Sequence, residues 1–190
     1  MTIHKKYISA DELLLDSFKL GMKIHNSGFK PDFIVGVWRG GAPVGIAIQE
    51  LLSYLGNHAD HIAIRTSSYT GINSQLKRVR IHGLSYLIKN MNAEDKLLIV
   101  DDVFDSGRSI KAILDTLKAK SRKNTPQDIR IAMPWYKPER NITNFTPEYY
   151  LHETDDWLIF PHEMDGLEEA EIFENKPGLK EILSQNTAKK

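Results

Sequence analysis

Short apolar runs alternate along this chain with amphipathic stretches of helical period. Phe33-Ile34-Val35-Gly36-Val37, His61-Ile62-Ala63-Ile64-Arg65, Leu97-Leu98-Ile99-Val100 and Ile129-Arg130-Ile131-Ala132-Met133 are rich in β-branched residues and too short for stable helices, so they read as strands. Between them lie helical patterns. Ser9-Ala10-Asp11-Glu12 is a capping box opening a helix that ends near Gly28, and Pro43 suits the first turn of a helix reaching Tyr54. Residues 83–90 form a short helical piece, and Ile110, Ile113, Leu114 and Leu117 share one face of a helix over 110–118. Strands alternating with helices imply right-handed crossovers, hence an α/β fold with a central, mostly parallel sheet flanked by helices. Thr66 to Arg80 breaks the pattern: it is polar, basic and aperiodic, and reads as a long loop that is either a lid or disordered, with Lys77, Arg78 and Arg80 as a solvated charge cluster. Residues 185–190 read as a frayed tail.

Composition narrows the class. With 190 residues, 41% of them hydrophobic, the chain has the size of a single domain with modest elaboration, its core spanning about 30–135. Twenty-five basic residues balance 25 acidic ones, which argues against a nucleic-acid coat or a membrane-surface role. No apolar stretch approaches the ~20 residues of a membrane span, and the amino terminus lacks a signal-peptide core. Zero cysteines exclude disulfides, thiol catalysis and thiolate metal sites; together these features point to the cytoplasm. The seven histidines show no metal-ligand spacing.

Candidate chemistry begins where the run Leu97–Val100 stops. A continuously apolar strand is buried on both faces, and in open α/β sheets ligands bind beyond the carboxyl ends of the strands. Asp101, Asp102 and Asp105 fall there, and three carboxylates so close repel one another unless a cation, a proton or ligand hydroxyls engage them. A ribose diol or Mg²⁺ fits. Ser106-Gly107-Arg108-Ser109 adds hydroxyls, a flexible glycine, a guanidinium and the free N–H groups of a helix start, which is a ready phosphate site. Together they describe a binder of a phosphorylated sugar.

A second loop, Trp38-Arg39-Gly40-Gly41, follows the strand Phe33–Val37. Its glycines fit neither G-x-G-x-x-G nor a Walker A loop. Arg39 flanked by glycines lets backbone amides approach an anion beside a fixed positive charge; alone, it reads equally as a tight turn with an exposed arginine. Lys137, between Trp135-Tyr136 and Pro138, lies beyond another strand end and can donate to an exocyclic carbonyl oxygen. Asp155 to Met164 combines aromatic residues with acids, and by itself reads as a hydrophobic segment sealing the domain.

The stretch Leu97–Ser109 resembles the phosphoribosyl-diphosphate (PRPP) signature of the type I phosphoribosyltransferases: an aliphatic strand, two acids, two variable residues, Asp, Thr or Ser, Gly, one residue, then Thr or Ser. Many members have Glu where Asp101 stands and Thr where Ser106 stands, and both changes keep the chemistry. Lys137-Pro138 and the later Trp157–Glu163 segment are similar to the 6-oxopurine branch, which carries them in a small carboxy-terminal hood. By that likeness the hood comprises mainly residues 136–166, leaving room for an amino-terminal contribution. Asp101 and Asp102 hold the ribose hydroxyls, Asp105 faces the base as candidate acid–base group, and Asp105, Ser106, Gly107, Arg108 and Ser109 wrap the 5′-phosphate.

The resemblance assigns the diphosphate to Arg39, Gly40 and Gly41, where a peptide flanking Arg39 is cis in some members, and to a mobile loop carrying Ser68 and Tyr69. Lys137 contacts the purine 6-oxygen, Trp157 stacks on the ring, and the Leu158 backbone reads the 2-position. Mg²⁺ is the implied cofactor, with Asp101, Asp102 and Glu163 as ligand candidates; Glu163 stands where the family has Asp. The implied activity is transfer of the 5-phosphoribosyl group from PRPP to hypoxanthine, guanine or xanthine, a salvage reaction run by a homodimer or homotetramer. Two alternatives stand beside it. One is another acceptor, pyrimidine or adenine, although Lys137 speaks against adenine. The other is a non-catalytic PRPP- or nucleotide-sensing regulator, which would need a basic face; net neutrality speaks against it, and Lys118, Lys120, Arg122 and Lys123 form a local basic patch.

Overall fold

The structure, a computed structural model, describes residues 4–69 and 78–187. In chain order its strands are β1 (Lys5–Tyr7), β2 (Phe33–Trp38), β3 (Asp60–Tyr69), β4 (Arg78–His82), β5 (Lys96–Val100), β6 (Val103–Phe104), β7 (Asp128–Ala132), β8 (Trp135–Tyr136), β9 (His152–Glu153) and β10 (Trp157–Ile159). Its α-helices are α1 (Ala10–Asn26), α2 (Gly41–Tyr54), α3 (Ser85–Asn90), α4 (Arg108–Ser121), α5 (Glu169–Asn175) and α6 (Leu179–Thr187). The described residues divide into two units, one of residues 14–155 and one built from 4–13 with 156–187.

The larger unit is organised by a five-stranded sheet of order β4-β3-β2-β5-β7. β3, β2, β5 and β7 run parallel, and β4 pairs antiparallel on the edge. Leu97, Leu98, Ile99 and Val100 are all fully buried, as a strand with helices on both faces requires; each such side chain contributes about 1.5–3 kcal/mol. Side chains alternate between the faces. Val35, Val37, Leu97, Ile99 and Ile131 join Leu87 of α3 and Ile110, Ile113 and Leu117 of α4 in one cluster. On the other face α2 lies close against β2, and a Cβ on Gly45 would stand 3.5 Å from the Gly36 Cα. Ser9 caps α1 as expected, its hydroxyl accepting the Glu12 N–H at 3.1 Å.

Two expectations change. Thr66–Arg80 is not wholly a loop, since β3 continues to Tyr69 and β4 begins at Arg78, paired from Arg65↔His82 to Tyr69↔Arg78. An antiparallel edge pair can face water on one side: Thr66–Ser68 supply polar residues with little apolar signal, while Val79 and Ile81 alternate with Arg78, Arg80 and His82 and Ile81 packs against the core. Residues 70–77, with Lys77, lie outside the described residues, as do the side chains of Ser68, Tyr69 and Arg78. The tail is helical as far as Thr187. The smaller unit holds β1 and β10 as a parallel pair, with α5 and α6.

Candidate functional site

The acids at the end of β5 and the glycines at the end of β2 form one piece of structure. A Cβ on Gly40 would lie 1.7 Å from Asp102 Oδ2, and one on Gly41 would lie 2.3 Å from the Val100 carbonyl oxygen and 2.8 Å from the Asp101 Cα. The glycines are therefore there for close approach. Gly40 has φ −62° and ψ −36°, a conformation open to any residue. The preceding peptide, Trp38–Arg39, is cis. Asp102 is buried beside this loop. Asp101 accepts the Asp102 N–H at 3.0 Å, yet its carboxyl is pushed well above the usual range, first by desolvation and then by the Asp102 charge. Burial and like charge together disfavour ionising both carboxyl groups at once, and an adjacent acid pair is the donor chemistry that suits Mg²⁺ completed by substrate oxygens. Among the described residues no group of three or more His, Cys, Asp or Glu gathers as a metal cage.

Beyond β5 the chain makes the short strand β6 and turns through Asp105-Ser106-Gly107 into α4. Gly107 has φ +75°, the left-handed region that favours glycine, and a Cβ there would meet Thr143 Oγ1 at 2.7 Å and Phe104 Cε1 at 2.9 Å. It is the N-cap of α4 and, as a glycine, supplies no side-chain cap, which suits the first helical N–H groups to an external acceptor. A cavity of about 80 Å³ lies here, lined by Asp101, Asp105, Ser106, Gly107, Arg108 and Ser109 among others. A broader groove of about 780 Å³ elsewhere in this unit, lined by Leu15, Phe18, Met22 and Leu51, contains none of the motif residues.

A second sheet, of order β6-β8-β9, delivers Lys137 to Asp105. Phe104 of β6 pairs with Tyr136 of β8 in parallel register, so the next residue of each strand, Asp105 and Lys137, emerges on the same side of the pair. The Lys137 N–H bonds the Phe104 carbonyl at 2.9 Å. Lys137 is 3% exposed; its Nζ stands 3.7 Å from Asp105 Oδ2, while Arg140 Nε lies 2.9 Å from Oδ1. Burial pushes the Lys137 ammonium down from its ordinary value against the pull of Asp105. The loop after β8 is held by Asn141, whose side chain donates to the Phe145 carbonyl at 3.0 Å and accepts the Thr143 N–H at 2.8 Å. β8 itself is anchored by Trp135, which stacks on His152, and His152 bonds the buried Asp16 at 2.7 Å.

In the smaller unit Trp157 is 49% exposed, so it does not seal the domain as the segment 155–164 suggests by itself, while Leu158, Ile159 and Phe160 are buried. The Trp157 N–H bonds the His4 carbonyl and the Ile8 N–H bonds the Ile159 carbonyl, both at 2.9 Å. A parallel ladder engages alternate residues of each strand. The Leu158 N–H and C=O, opposite Lys6, therefore turn toward the other edge of this two-stranded sheet. Glu163 Oε2 accepts the Phe160 N–H at 3.0 Å, closing a turn after β10. A cavity of about 280 Å³ in this unit is bounded by Lys5, Trp157, Ile159, Glu163 and Asp165.

Within the larger unit the fold thus gathers Arg39–Gly41 with Asp101–Asp102, and Asp105–Ser109 with Lys137. Sequence reasoning missed Arg140, Asn141 and Thr143, which sit in an aperiodic loop; the basic residue three positions after Lys137 was the only available hint.

A family model described as a phosphoribosyl transferase domain matches residues 9–166. The hypoxanthine-guanine phosphoribosyltransferase of Streptococcus pyogenes is 28% identical over 176 residues, covering 92% of this chain and 91% of that protein. Among solved structures, the purine phosphoribosyltransferase of Pyrococcus horikoshii aligns with a TM-score of 0.68 at 26% identity, over 87% of this chain and 98% of that one. A Neisseria gonorrhoeae protein solved with bound ppGpp aligns with a TM-score of 0.71 at 18% identity, over 87% and 93%, a likeness of fold.

Proposed function

Because the chain belongs to the phosphoribosyltransferase family, we propose that it transfers the 5-phosphoribosyl group of PRPP to a 6-oxopurine, releasing diphosphate. The observation that carries the purine acceptor is the triad at Asp105: a carboxylate held at 2.9 Å by Arg140, beside a buried Lys137. Lys137 donates to the 6-oxygen, for which adenine offers only an amino group. Asp105 manages the imidazole proton of the base, a general acid–base contribution of about 10²–10⁴-fold. The half-exposed Trp157 supplies the stacking face. The outward N–H and C=O of Leu158 suit a purine 2-position bearing an oxo or an amino group.

PRPP is held from the other side of the chemistry. Ser106, Gly107, Arg108 and Ser109 at the uncapped start of α4 receive the 5′-phosphate, and Asp101 with Asp102 receives the ribose hydroxyls. Arg39, Gly40 and Gly41, with Ser68 and Tyr69, meet the diphosphate. Asp101 and Asp102 would hold Mg²⁺ together with PRPP oxygens, where the cation supplies charge neutralisation for the departing diphosphate. For Glu163 the bond from Phe160 N–H favours shaping its own turn. As the glycosidic carbon gains positive charge and the diphosphate negative charge, stabilisation by fixed charges dominates. The cytoplasmic setting, the assembly of two or four chains and the reading of the whole chain as a single domain with a purine-binding hood belong to the same proposal. Among the described residues no helix is long and apolar enough to cross a membrane.

The test is Asp105→Asn, which keeps the size and removes the base. Turnover is expected to fall by about 10²-fold or more while the KM for PRPP stays within about twofold; unchanged turnover removes Asp105 from the reaction.

A further inference from the structure

The segments that hold β10 lie outside residues 9–166, the stretch matched by the family model. β1 runs along β10 with Lys5↔Trp157, Lys6↔Leu158 and Tyr7↔Ile159 in register. β1 is in turn tied to α5, since one oxygen of Glu171 takes both the Lys5 ammonium and, at 2.8 Å, the Tyr7 hydroxyl. The other oxygen of Glu171 accepts the Glu168 N–H at 3.1 Å, half of a capping box that fixes the carboxylate at the start of α5. At the far end of α5, Lys176 turns back. Its Nζ donates to the Phe160 carbonyl at 2.8 Å and the Pro161 carbonyl at 3.2 Å, immediately after β10. These contacts close a ring: β10, β1, Glu171, α5, Lys176 and Phe160.

Lys176 is 7% exposed. Burying an ammonium for two main-chain carbonyls is a poor source of stability, because desolvation offsets most of the hydrogen-bond gain. It is a good source of geometry, since the donors fix where two successive carbonyls stand. The stretch so fixed begins two residues after Leu158.

We propose that this ring is a brace for purine affinity, in which Lys176 and Glu171 are positioning residues that hold Trp157 and the Leu158 main chain where the base is read. The inference rests on the purine reading above. It predicts that residues remote from the PRPP motif control the KM for one substrate alone.

The test uses the full chain carrying Lys176→Met, with Glu171→Gln as a second variant should the first fail to fold. Steady-state KM values for guanine and for PRPP are measured beside amide hydrogen exchange over residues 157–162. In Lys176→Met the KM for guanine rises about tenfold, because a base read by a displaced Trp157 and Leu158 main chain is held less well, while that for PRPP stays within about twofold. Exchange accelerates at 157–162 and not in β5. Glu171→Gln, which keeps an acceptor for Tyr7, gives a smaller change of the same kind. Unchanged KM for guanine overturns the proposal, as does a parallel rise in both KM values together with general loss of exchange protection. If the unaltered protein makes no nucleotide from any purine, the functional reading fails on its own, and the exchange comparison still decides whether Lys176 holds β10.

Discussion

Replacing Gly40 and Gly41 by alanine, one at a time, separates binding from folding at neighbouring positions. Gly40 has helical dihedrals, so alanine meets no backbone penalty and reduces the freedom of the unfolded chain, a gain of about 0.4–1 kcal/mol. Its Cβ, however, arrives 1.7 Å from Asp102 Oδ2 and 2.1 Å from Cγ. The carboxylate must swing away, and as a short side chain it can. Gly41→Ala instead drives its Cβ to 2.3 Å from the Val100 carbonyl oxygen and 2.8 Å from the Asp101 Cα, which are main-chain atoms of a buried strand end. Overpacking that cannot relax costs about 3 kcal/mol, and at this chain length it lowers Tm by about 6–12 °C. Gly40→Ala should therefore melt within about 3 °C of the unaltered protein. Its KM for PRPP should rise about 10- to 100-fold, because a displaced Asp102 loses a charged hydrogen bond of about 1.5–3 kcal/mol to the ribose. Calorimetric melting and initial rates against PRPP read both quantities. A Gly40→Ala enzyme with unaltered KM for PRPP, or a Gly41→Ala protein as stable as its parent, would refute the argument that these glycines exist to seat the acid pair.

Lys137→Met keeps the apolar stem in its buried slot and removes the donor; the KM for guanine should rise about 10- to 100-fold with PRPP affinity unmoved, and a KM for guanine that does not change would exclude the contact to the 6-oxygen. The hydrogen bond from Lys5, with those from the Glu168 N–H and the Tyr7 hydroxyl, holds the Glu171 carboxyl down at about 2, against an ordinary 4.5. Between those values the unfolded chain binds more protons than the folded one, so stability present above pH 4.5 is lost as pH falls toward 2. Thermal midpoints of Glu171→Gln measured from pH 5 to pH 3 should therefore decline less steeply than those of the parent, and the contrast should shrink in high salt because the pair is exposed; identical slopes would detach this pair from the acid limb.

What could be read from the residues follows the physics of each element. β2, β5 and α4 announce themselves because a strand buried on both faces must be continuously apolar and an amphipathic helix must repeat, and β7, on the sheet edge, by the alternation of Ile129 and Ile131 about Arg130. The acids after Val100 and the loop Ser106–Ser109 are legible for the same reason, since their position relative to a buried strand fixes where they emerge. The contact of Gly40 with Asp102 is not legible: two loops 62 positions apart meet through the parallel pairing of β2 and β5, and the glycine spacing alone reads as a turn. β3 extends through Thr66–Tyr69 on backbone pairing of polar residues, which leaves little apolar signal, whereas β4 does alternate, Val79 and Ile81 with Arg78, Arg80 and His82, a pattern too short beside the polar stretch before it to stand out. The three-residue strands β1 and β10 each depend on a partner about 150 residues distant, so neither has a local signal. Arg140 came to light only because the Phe104↔Tyr136 register brings the loop after Lys137 back to Asp105.

The most direct measurement offers Mg²⁺-PRPP to the purified protein with hypoxanthine, guanine, xanthine, adenine, uracil and orotate in separate reactions, and follows nucleotide and diphosphate. The account predicts stoichiometric mononucleotide and diphosphate with at least one 6-oxopurine and none with adenine, uracil or orotate. Turnover of adenine or a pyrimidine in preference to every 6-oxopurine, or PRPP binding with no transfer to any base, would contradict it.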